Sequence, residues 1–268
     1  MAGWTEDELR ADLHRLGVRA GDTLLVQASL RSVGPLRSGA ATLTAALSHA
    51  LGPSGTLVGY AATPENSDTS RLYLQATAGM DAAELARYRD SMPPFDRALT
   101  PCSPTLGRLS EEIRRLGGTL RSAHPQTSFT ALGEGAEAVV ERHPLESHLG
   151  EESPLGQLYK RGALALMIGI PHWLCTAYHL AEYQVDWRAR RRYGCVAKDA
   201  EGARRWLEFE GLDLDDRHFP QLGAAIRDQV GFGSGRLGDA RCFLVPVVAA
   251  VDTARGWLAD RSNLRSFG

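Results

Sequence analysis

The sequence predicts an α/β fold, with helices on both faces of a central sheet that is mostly parallel or mixed. Between residues 22 and 61 a strand, a helix and a second strand follow one another, which is the pattern of a βαβ unit with a right-handed crossover. Further along, the apolar run 163–170 is long enough for one buried strand, and a helical segment follows it directly. We therefore expect a single α/β domain over residues 1–268.

Each predicted element has a local signal. Thr5 is a suitable N-cap for a first helix that ends near Leu16, before Gly17. The turn residues 52–55 end a helix predicted for 41–51, which lies between strands at 22–29 and 56–61. The remaining predicted elements are, in chain order, a helix at 82–89, a helix at 104–116, a strand at 129–132, a helix at 134–142, a short helix capped by Ser153, a strand at 204–210, a helix at 219–230, a strand at 242–246 and a closing helix at 247–261.

The segment 63–105 differs from the rest of the chain because it is polar and shows little regular pattern. A connection of this length inside a compact domain is usually functional. We interpret it as a lid-like loop segment.

Composition excludes several classes of protein. The net charge of −2 provides no general basic field for nucleic acid, and the basic cluster 188–192 is short, so a solvated helix face or a contact with a phosphorylated small molecule explains it better. No apolar run approaches the ~20 residues of a membrane helix, and the N-terminus lacks the pattern of a signal peptide. The four cysteines are scattered, which favours reduced thiols. We expect a soluble cytoplasmic protein with no nucleic-acid, membrane or metal partner, either a monomer or a homodimer.

The strongest functional signal is the segment 176–182, which follows the buried strand. His179 comes three residues after Thr176 and three before Glu182, so the three side chains can share one helical face. Open α/β sheets place reactive groups beyond the carboxyl ends of their strands, and imidazole titrates near neutral pH. This pattern predicts a general base at His179. The alternative is a helix histidine that a neighbouring carbonyl satisfies.

Three other segments admit a functional and a structural interpretation. The turn 29–34 follows the first strand and could hold a phosphate through backbone N–H groups. In the loop 121–125, Pro125 restricts His124 to extended backbone, and the side chains of Arg121 and Ser122 could contact phosphate or amide groups. The acidic stretch 205–216 could bind a basic substrate or orient a histidine, or be a half-buried strand with a solvated turn.

Two apparent motifs do not support a site. The run Gly233–Gly238 matches G-x-G-x-x-G, but it follows a helix and precedes a strand, which is the wrong order for a dinucleotide turn. His143 and His148 lie near Glu146, Glu151 and Glu152, where an exposed polar loop explains them better than a metal site.

Taken together, six segments resemble the aminoglycoside 3-N-acetyltransferase family and occur in the family's order. The resemblance covers about residues 5–260, and its six segments are 28–34, 52–57, 94–96, 121–125, 153–159 and 176–182. It implies an α/β enzyme that transfers an acetyl group from acetyl-CoA to the 3-amino group of a 2-deoxystreptamine aminoglycoside, conferring antibiotic resistance. It places the catalytic histidine at His179.

The resemblance also implies roles for other residues. Glu210 would orient the imidazole, and Thr176 would help to stabilise the oxyanion. Coenzyme A would contact two segments, formed by Ser29, Leu30, Arg31, Ser32, Val33 and Gly34 and by Arg121, Ser122 and His124. Because the acceptor carries several positive charges, the candidate substrate-binding residues are mainly acidic, and they are Tyr60, Glu65, Asp68, Glu182 and Asp213.

One position departs from the family pattern. Family members usually carry a histidine where this chain has Gln27, and glutamine hydrogen-bonds but does not titrate. We expect a structural or coenzyme-contacting role for Gln27 and direct transfer in a ternary complex, without an acyl-enzyme. The alternatives are an N-acyltransferase acting on another amine in a biosynthetic pathway, and a non-catalytic protein that binds aminoglycosides or coenzyme A.

Overall fold

The computed structural model describes residues 3–199 and 201–260. The α-helices are α1 (Glu6–Leu16), α2 (Ala40–Leu51), α3 (Arg71–Ala76), α4 (Ala82–Ser91), α5 (Arg108–Arg115), α6 (Ala136–Val140), α7 (Pro154–Lys160), α8 (Tyr178–Glu182), α9 (Phe219–Val230) and α10 (Val247–Ala259). The strands are β1 (Thr23–Ala28), β2 (Thr56–Tyr60), β3 (Leu120–Arg121), β4 (Phe129–Gly133), β5 (Leu164–Ile168), β6 (Arg190–Lys198), β7 (Arg204–Leu212), β8 (Gly233–Leu237) and β9 (Ala240–Pro246). Within these ranges no helix is both long and apolar enough to cross a membrane.

A seven-stranded mixed sheet forms the centre of the molecule, with the strand order β3-β4-β2-β1-β5-β9-β8. The three central strands, β2, β1 and β5, are parallel. The flanking strands β4 and β9 run antiparallel to them, and β3 and β8 extend the sheet antiparallel at its two edges. The predicted βαβ unit and the mixed sheet are confirmed. The parallel core brings the carboxyl ends of three strands to the same edge.

Helices cover both faces of this sheet, as predicted. In β1, Leu24 and Val26 face the layer of α1, α2 and α5, whereas Leu25 faces the layer of α6 to α10. This alternation follows from the two-residue period of a strand. Burial on both faces explains why the central strands are almost continuously apolar.

The predicted boundaries of α1 are confirmed by its caps. The Thr5 side chain accepts a hydrogen bond from the Glu8 N–H, and the Glu8 carboxylate accepts one from the Thr5 N–H, which forms a capping box. At the other end, Gly17 has a φ of 113°, a left-handed conformation that favours glycine. The predictions for α9 and for the Ser153 cap of α7 are confirmed as well.

Several predicted elements differ from the structure, and one predicted helix end lies outside the described residues. The helix predicted at 104–116 is a 3₁₀ turn, Pro104–Leu106, followed by α5, because Gly107 has a φ of 81° and interrupts the helical backbone. The run 233–238, for which no strand was predicted, contains the edge strand β8. The predicted closing helix extends to Arg261, which lies outside the described residues, and α10 is described as far as Ala259.

A two-stranded antiparallel sheet, β6–β7, is the main feature that the sequence did not predict. The basic cluster 188–192 leads into β6 and is not a helix face. Inward-facing Tyr193, Cys195 and Phe209 form a small separate core in this hairpin. The β6 residues that follow the cluster, 193–197, are all buried, so β6 lacks the alternation that would have indicated a hairpin strand.

The segment 63–105 packs against this hairpin and contains α3 and α4. The Asn66 side chain makes both hydrogen bonds of an extended pairing with Val196, accepting from its N–H at 2.8 Å and donating to its carbonyl at 2.7 Å. The Phe95 N–H also donates to the Val196 carbonyl, and Lys198 forms an ion pair with Asp96. The segment and the hairpin are therefore joined at several points.

The Asn66 contacts lead to a stability prediction. Asn66→Leu leaves the buried Val196 N–H without its partner, which costs about 1–3 kcal/mol of unfolding free energy. Urea denaturation followed by circular dichroism measures this loss. The control is Gln229→Leu on exposed α9 surface, which we expect to change stability by less than about 0.5 kcal/mol. Equal urea midpoints for Asn66→Leu and the wild type would contradict the prediction.

Candidate active site

The candidate active site lies at the carboxyl ends of the three parallel strands. Tyr60 ends β2, and the chain leaving β5 passes through the 3₁₀ turn His172–Leu174 before it enters α8. Together they line a cleft of about 410 Å³. Its lining residues are Tyr60, Trp173, Leu174, Thr176, His179, Asp216, Arg217, Phe219 and Pro220. A larger cleft, about 530 Å³, lies at the amino ends of β1 and β2, but neither histidine nor cysteine lines it.

His179 and Glu182 form a hydrogen-bonded pair within α8. The distance from His179 Nδ1 to Glu182 Oε2 is 2.6 Å, and the His179 side chain is 16% exposed while that of Glu182 is 0% exposed. The imidazole also packs against the Phe219 ring, with 4.7 Å between centroids. An ionised Glu182 accepts a hydrogen bond from Nδ1–H, so Nε2 carries the lone pair. The pair therefore presents a basic nitrogen to the cleft.

Both carboxylate oxygens of Glu182 are engaged. Oε1 lies 2.6 Å from Nη2 of Arg188 and accepts a hydrogen bond from the Asp215 N–H at 3.2 Å. Burial of a charge is costly unless it is paired and hydrogen-bonded, and these contacts meet that requirement. Glu182 is thus a buried partner of the histidine rather than a group that contacts substrate.

The expected partner Glu210 does not contact His179. Glu210 lies on an exposed position of β7, opposite Arg192 in the hairpin register. The carboxylate that contacts His179 is instead that of Glu182. It comes three residues later in α8, so both side chains lie on the same face of the helix. The assignment of Glu210 as the orienting carboxylate is therefore wrong.

Gln27 supports the loop that carries Thr176. Its Oε1 accepts a hydrogen bond from the Thr176 N–H at 3.0 Å, and its Nε2 donates to the Leu174 carbonyl at 3.3 Å. The end of β1 is thereby connected to the segment between β5 and α8. Because Gln27 occupies the Thr176 N–H, the Thr176 hydroxyl is the donor that remains beside the cleft.

The predicted turn 29–34 borders a second cleft at the carboxyl end of β1. This cleft has a volume of about 480 Å³. It is lined by Ala28, Ser29, Leu30, Arg31, Gly34, Leu36, Gly39, Gly107 and Arg108. Two members of the turn face inward instead, because Val33 is fully buried and the Ser32 hydroxyl donates to Ser29 Oγ at 3.0 Å. The arginines Arg31 and Arg108 make this cleft a suitable place for an anionic group.

The predicted coenzyme contacts at Arg121, Ser122 and His124 are wrong, because all three side chains are buried in structural contacts. Arg121 donates to Ser128 Oγ at 2.9 Å and to the carbonyls of Ala61 and Thr100, and burial lowers its pKa to about 10. Ser122 hydrogen-bonds to His143 at 2.9 Å. This loop supports the sheet and does not reach a ligand.

His124, His143 and His148 form a buried cluster beneath the hairpin. The His124 ring lies 4.7 Å from that of His143 and 4.5 Å from that of His148, measured between centroids. Burial lowers the pKa of His124 to about 4 and holds the pKa values of His143 and His148 well below the usual range. The expected exposed loop at His143 and His148 is therefore wrong. Among the described residues no three or more His, Cys, Asp or Glu side chains are grouped to hold a metal ion.

The other predicted acidic contacts lie outside the His179 cleft. Glu65 is exposed and accepts a hydrogen bond from Ser103, and Asp213 forms an ion pair with Arg191 at 3.0 Å. Asp68 accepts a hydrogen bond from the Gly194 N–H at 2.6 Å, and burial raises its pKa. The acidic and basic residues that do line the cleft are Asp216, the last residue of the predicted acidic stretch, and Arg217, which follows it.

The chain is similar to known proteins over a range that includes the residues of both clefts. The family model described as aminoglycoside 3-N-acetyltransferase matches residues 25–259. The SPbeta prophage-derived aminoglycoside N(3')-acetyltransferase-like protein YokD of Bacillus subtilis (strain 168) is 32% identical over 97% of this chain and 94% of its own. Aminoglycoside N(3)-acetyltransferase III of Pseudomonas aeruginosa is 32% identical over 94% of this chain and 93% of its own.

Solved structures agree with this similarity. The crystal structure of YokD has a TM-score of 0.91 at 31% identity, over 98% of this chain and 96% of its own. The structure of AAC-VIa bound to sisomicin has a TM-score of 0.86 at 30% identity, over 97% of this chain and 99% of its own. That of AAC-IIIb in a binary complex with CoASH has a TM-score of 0.84 at 31% identity, over 97% of this chain and 98% of its own.

The buried histidine cluster predicts acid sensitivity. Below about pH 6.5 the unfolded chain protonates these histidines while the folded chain does not, so each lowers the unfolding free energy by up to about 1.4 kcal/mol per pH unit as the pH falls. The loss continues until the pH reaches the folded pKa, which is about 4 for His124. Urea denaturation between about pH 8 and 5 measures the slope.

Two variants test this assignment. His148→Gln removes one of the three protonation events of the cluster, so we expect the slope to fall by up to about 1.4 kcal/mol per pH unit in this window. His14→Gln, at an exposed position of α1, is the matched control and should leave the slope unchanged. An unaltered slope in His148→Gln would contradict the prediction.

Proposed function

The chain belongs to the aminoglycoside 3-N-acetyltransferase family, and from this premise we propose that it transfers an acetyl group from acetyl-CoA to the 3-amino group of a 2-deoxystreptamine aminoglycoside. Such a reaction would confer resistance to the antibiotic. The observation that carries the proposal is the His179–Glu182 pair beside an open cleft. The similar proteins AAC-VIa and AAC-IIIb bind sisomicin and CoASH, respectively, which supports both substrate classes.

In the proposed reaction, His179 acts as a general base. The amine lone pair attacks the thioester carbonyl carbon, and Nε2 of His179 takes the proton that the nitrogen loses. Glu182 stabilises the resulting imidazolium through Nδ1. Collapse of the tetrahedral intermediate breaks the carbon–sulfur bond, and the proton passes from Nε2 to the departing thiolate. Transfer is direct, with no acyl-enzyme.

The negative charge of the tetrahedral intermediate requires a hydrogen-bond donor. The Thr176 hydroxyl lies beside the same cleft as His179, while its N–H is bound to Gln27. We assign the Thr176 hydroxyl to the oxyanion, a role in which a single donor contributes several kcal/mol in other enzymes. This assignment gives Gln27 an indirect role, because it holds the loop that carries Thr176.

The second cleft suits coenzyme A. The cleft of about 480 Å³ is bordered by the turn 29–34 and carries Arg31 and Arg108, whose guanidinium groups match phosphate geometry. Both clefts lie at the carboxyl end of the parallel strands, so a coenzyme in one can extend its thioester towards the other. Acetyl-CoA supplies the activated acetyl group, and the chain's residues bind and orient it.

The acceptor would lie in the His179 cleft. Asp216 is exposed there and provides an anionic contact for a cationic aminoglycoside. We further propose that the lid-like segment 63–105 influences acceptor choice through the β6–β7 hairpin, to which Asn66 fixes it, since none of its residues lines the cleft itself. The four cysteines are all unpaired and buried, which supports a cytoplasmic location.

Thiol release from acetyl-CoA with a panel of aminoglycosides tests the proposal. We expect turnover in the wild type and a loss of about 10²–10⁴-fold in His179→Ala, with coenzyme A binding retained. Glu182→Gln should also lose activity, because the amide cannot stabilise the imidazolium. Glu210→Gln is the matched control and should retain wild-type turnover, since Glu210 is an exposed residue of β7.

The possible outcomes separate the alternatives. No thiol release with any 2-deoxystreptamine aminoglycoside would overturn the proposal. Release with other amines alone would select an acyltransferase with a different acceptor. Protection from aminoglycosides that persists in His179→Ala would select a binding protein that does not catalyse transfer.

A further inference from the structure

Arg188 connects the catalytic pair to the β6–β7 hairpin. It lies between α8 and β6, and its Nη2 is 2.6 Å from Glu182 Oε1 and donates to the Asp213 carbonyl at 2.5 Å. The Arg188 side chain is 9% exposed, and that of Glu182 is 0% exposed. One guanidinium nitrogen therefore bridges the carboxylate and the end of β7 in a site largely shielded from water.

The burial of Glu182 makes its charge state depend on this contact. A carboxylate without solvent or a cation favours its neutral, protonated form. A protonated Glu182 would donate its hydroxyl hydrogen to Nδ1 of His179. The imidazole would then carry its own proton on Nε2 and could not accept one from an amine.

We propose that Arg188 is a positioning residue, which keeps Glu182 ionised and leaves Oε2 for His179, so that Nε2 stays unprotonated. The effect on turnover rests on the proposed function, but the effect on the imidazole tautomer does not. Arg188 lines neither cleft, so we assign its effect on His179 to its contact with Glu182.

The same contact ties the hairpin to the catalytic pair. The Asp213 N–H donates to the Ala189 carbonyl at 2.8 Å, which closes the base of the hairpin beside Arg188. In the segment that follows β7, the Asp215 N–H donates to Glu182. Both ends of the hairpin therefore meet at the carboxylate that orients His179, and Arg188 supplies the charge that makes this junction stable.

Other titratable groups surround the pair and belong to the same electrostatic environment. From the elements packed against it these are Tyr60, Tyr183, Tyr193, Asp215, Asp216, Arg217 and His218. Burial raises the pKa values of Tyr60, Tyr183 and Tyr193, so these phenols stay neutral at physiological pH. Arg217 lowers the pKa of Asp215 to about 2, and burial lowers that of His218. Arg188 is therefore the cation in direct contact with Glu182.

The variants Arg188→Gln and Arg188→Lys test the proposal, and Arg192→Gln is the matched control. Arg192 also pairs with a glutamate, Glu208, but their side chains are 70% and 43% exposed. Two measurements are made on each variant. Thiol release over about pH 5.5–9 gives kcat and KM, and nitrogen NMR of labelled protein gives the tautomer of His179.

We expect Arg188→Gln to lower kcat about 10–100-fold, a loss typical of residues that orient a catalytic ligand, with little change in either KM. The acid limb of its kcat/KM profile should move to higher pH, since the basic form of the pair becomes harder to reach. Arg188→Lys should recover most of the activity because it keeps the positive charge, and Arg192→Gln should match the wild type. In the wild type near neutral pH, NMR should show a proton on Nδ1 and none on Nε2.

Three results would overturn the proposal. The first is a wild-type His179 protonated on Nε2 near neutral pH, which needs no variant and so remains decisive if Arg188→Gln does not fold. The second is an Arg188→Gln protein with an unchanged pH profile and tautomer. The third is equal loss of activity in the glutamine and lysine variants with an unchanged tautomer, which would indicate a packing role. Absence of turnover in the wild type would instead count against the proposed function.

Discussion

The parallel pairing of β1 with both β2 and β5 is the constraint on which the rest of the site depends. In the register, Leu25 of β1 lies opposite Val58 of β2 and Ala165 of β5. Parallel strands end at the same edge of a sheet, so their connecting segments converge there. The chain leaving β5 can therefore be supported from β1 by Gln27, while Tyr60 from β2 borders the same cleft. The His179 cleft therefore draws on both parallel neighbours of β1.

Those parts of the fold that depend on nearby residues were predictable from the sequence. The cap at Thr5 and the stop at Gly17 each rest on a few adjacent positions, the βαβ unit rests on consecutive elements within 22–61, and the structure has all three. The β6–β7 hairpin was missed because the arginines of 188–192 dominate its start. Its inward residues also pack on a cluster formed by distant parts of the chain, such as His148. Such burial is decided by partners that a local pattern does not reveal.

The same difference between local and long-range information explains which site residues were predicted correctly from the sequence. His179 and Glu182 are one helical turn apart, so their contact follows from spacing alone, whereas Glu210 required knowledge of where β7 lies. Arg121, Ser122 and His124 form a polar loop that resembles a ligand site in the sequence. In the structure, backbone carbonyls and buried side chains satisfy their polar groups. Polarity indicates a need for partners, and tertiary structure decides whether those partners are ligands or the chain itself.

The small core of the hairpin has a consequence for how the molecule opens. The seven-stranded sheet is enclosed by two large apolar clusters, whereas Tyr193, Cys195 and Phe209 form the separate cluster of the hairpin. Regions with few buried apolar contacts open locally at a lower free energy than the whole protein unfolds. Backbone amides of β6 and β7 therefore exchange hydrogen with solvent sooner than those of β1 and β5. Because both ends of the hairpin meet at Glu182, we expect each such opening to release the contacts of Glu182 with Arg188 and Asp215 while the central sheet remains folded.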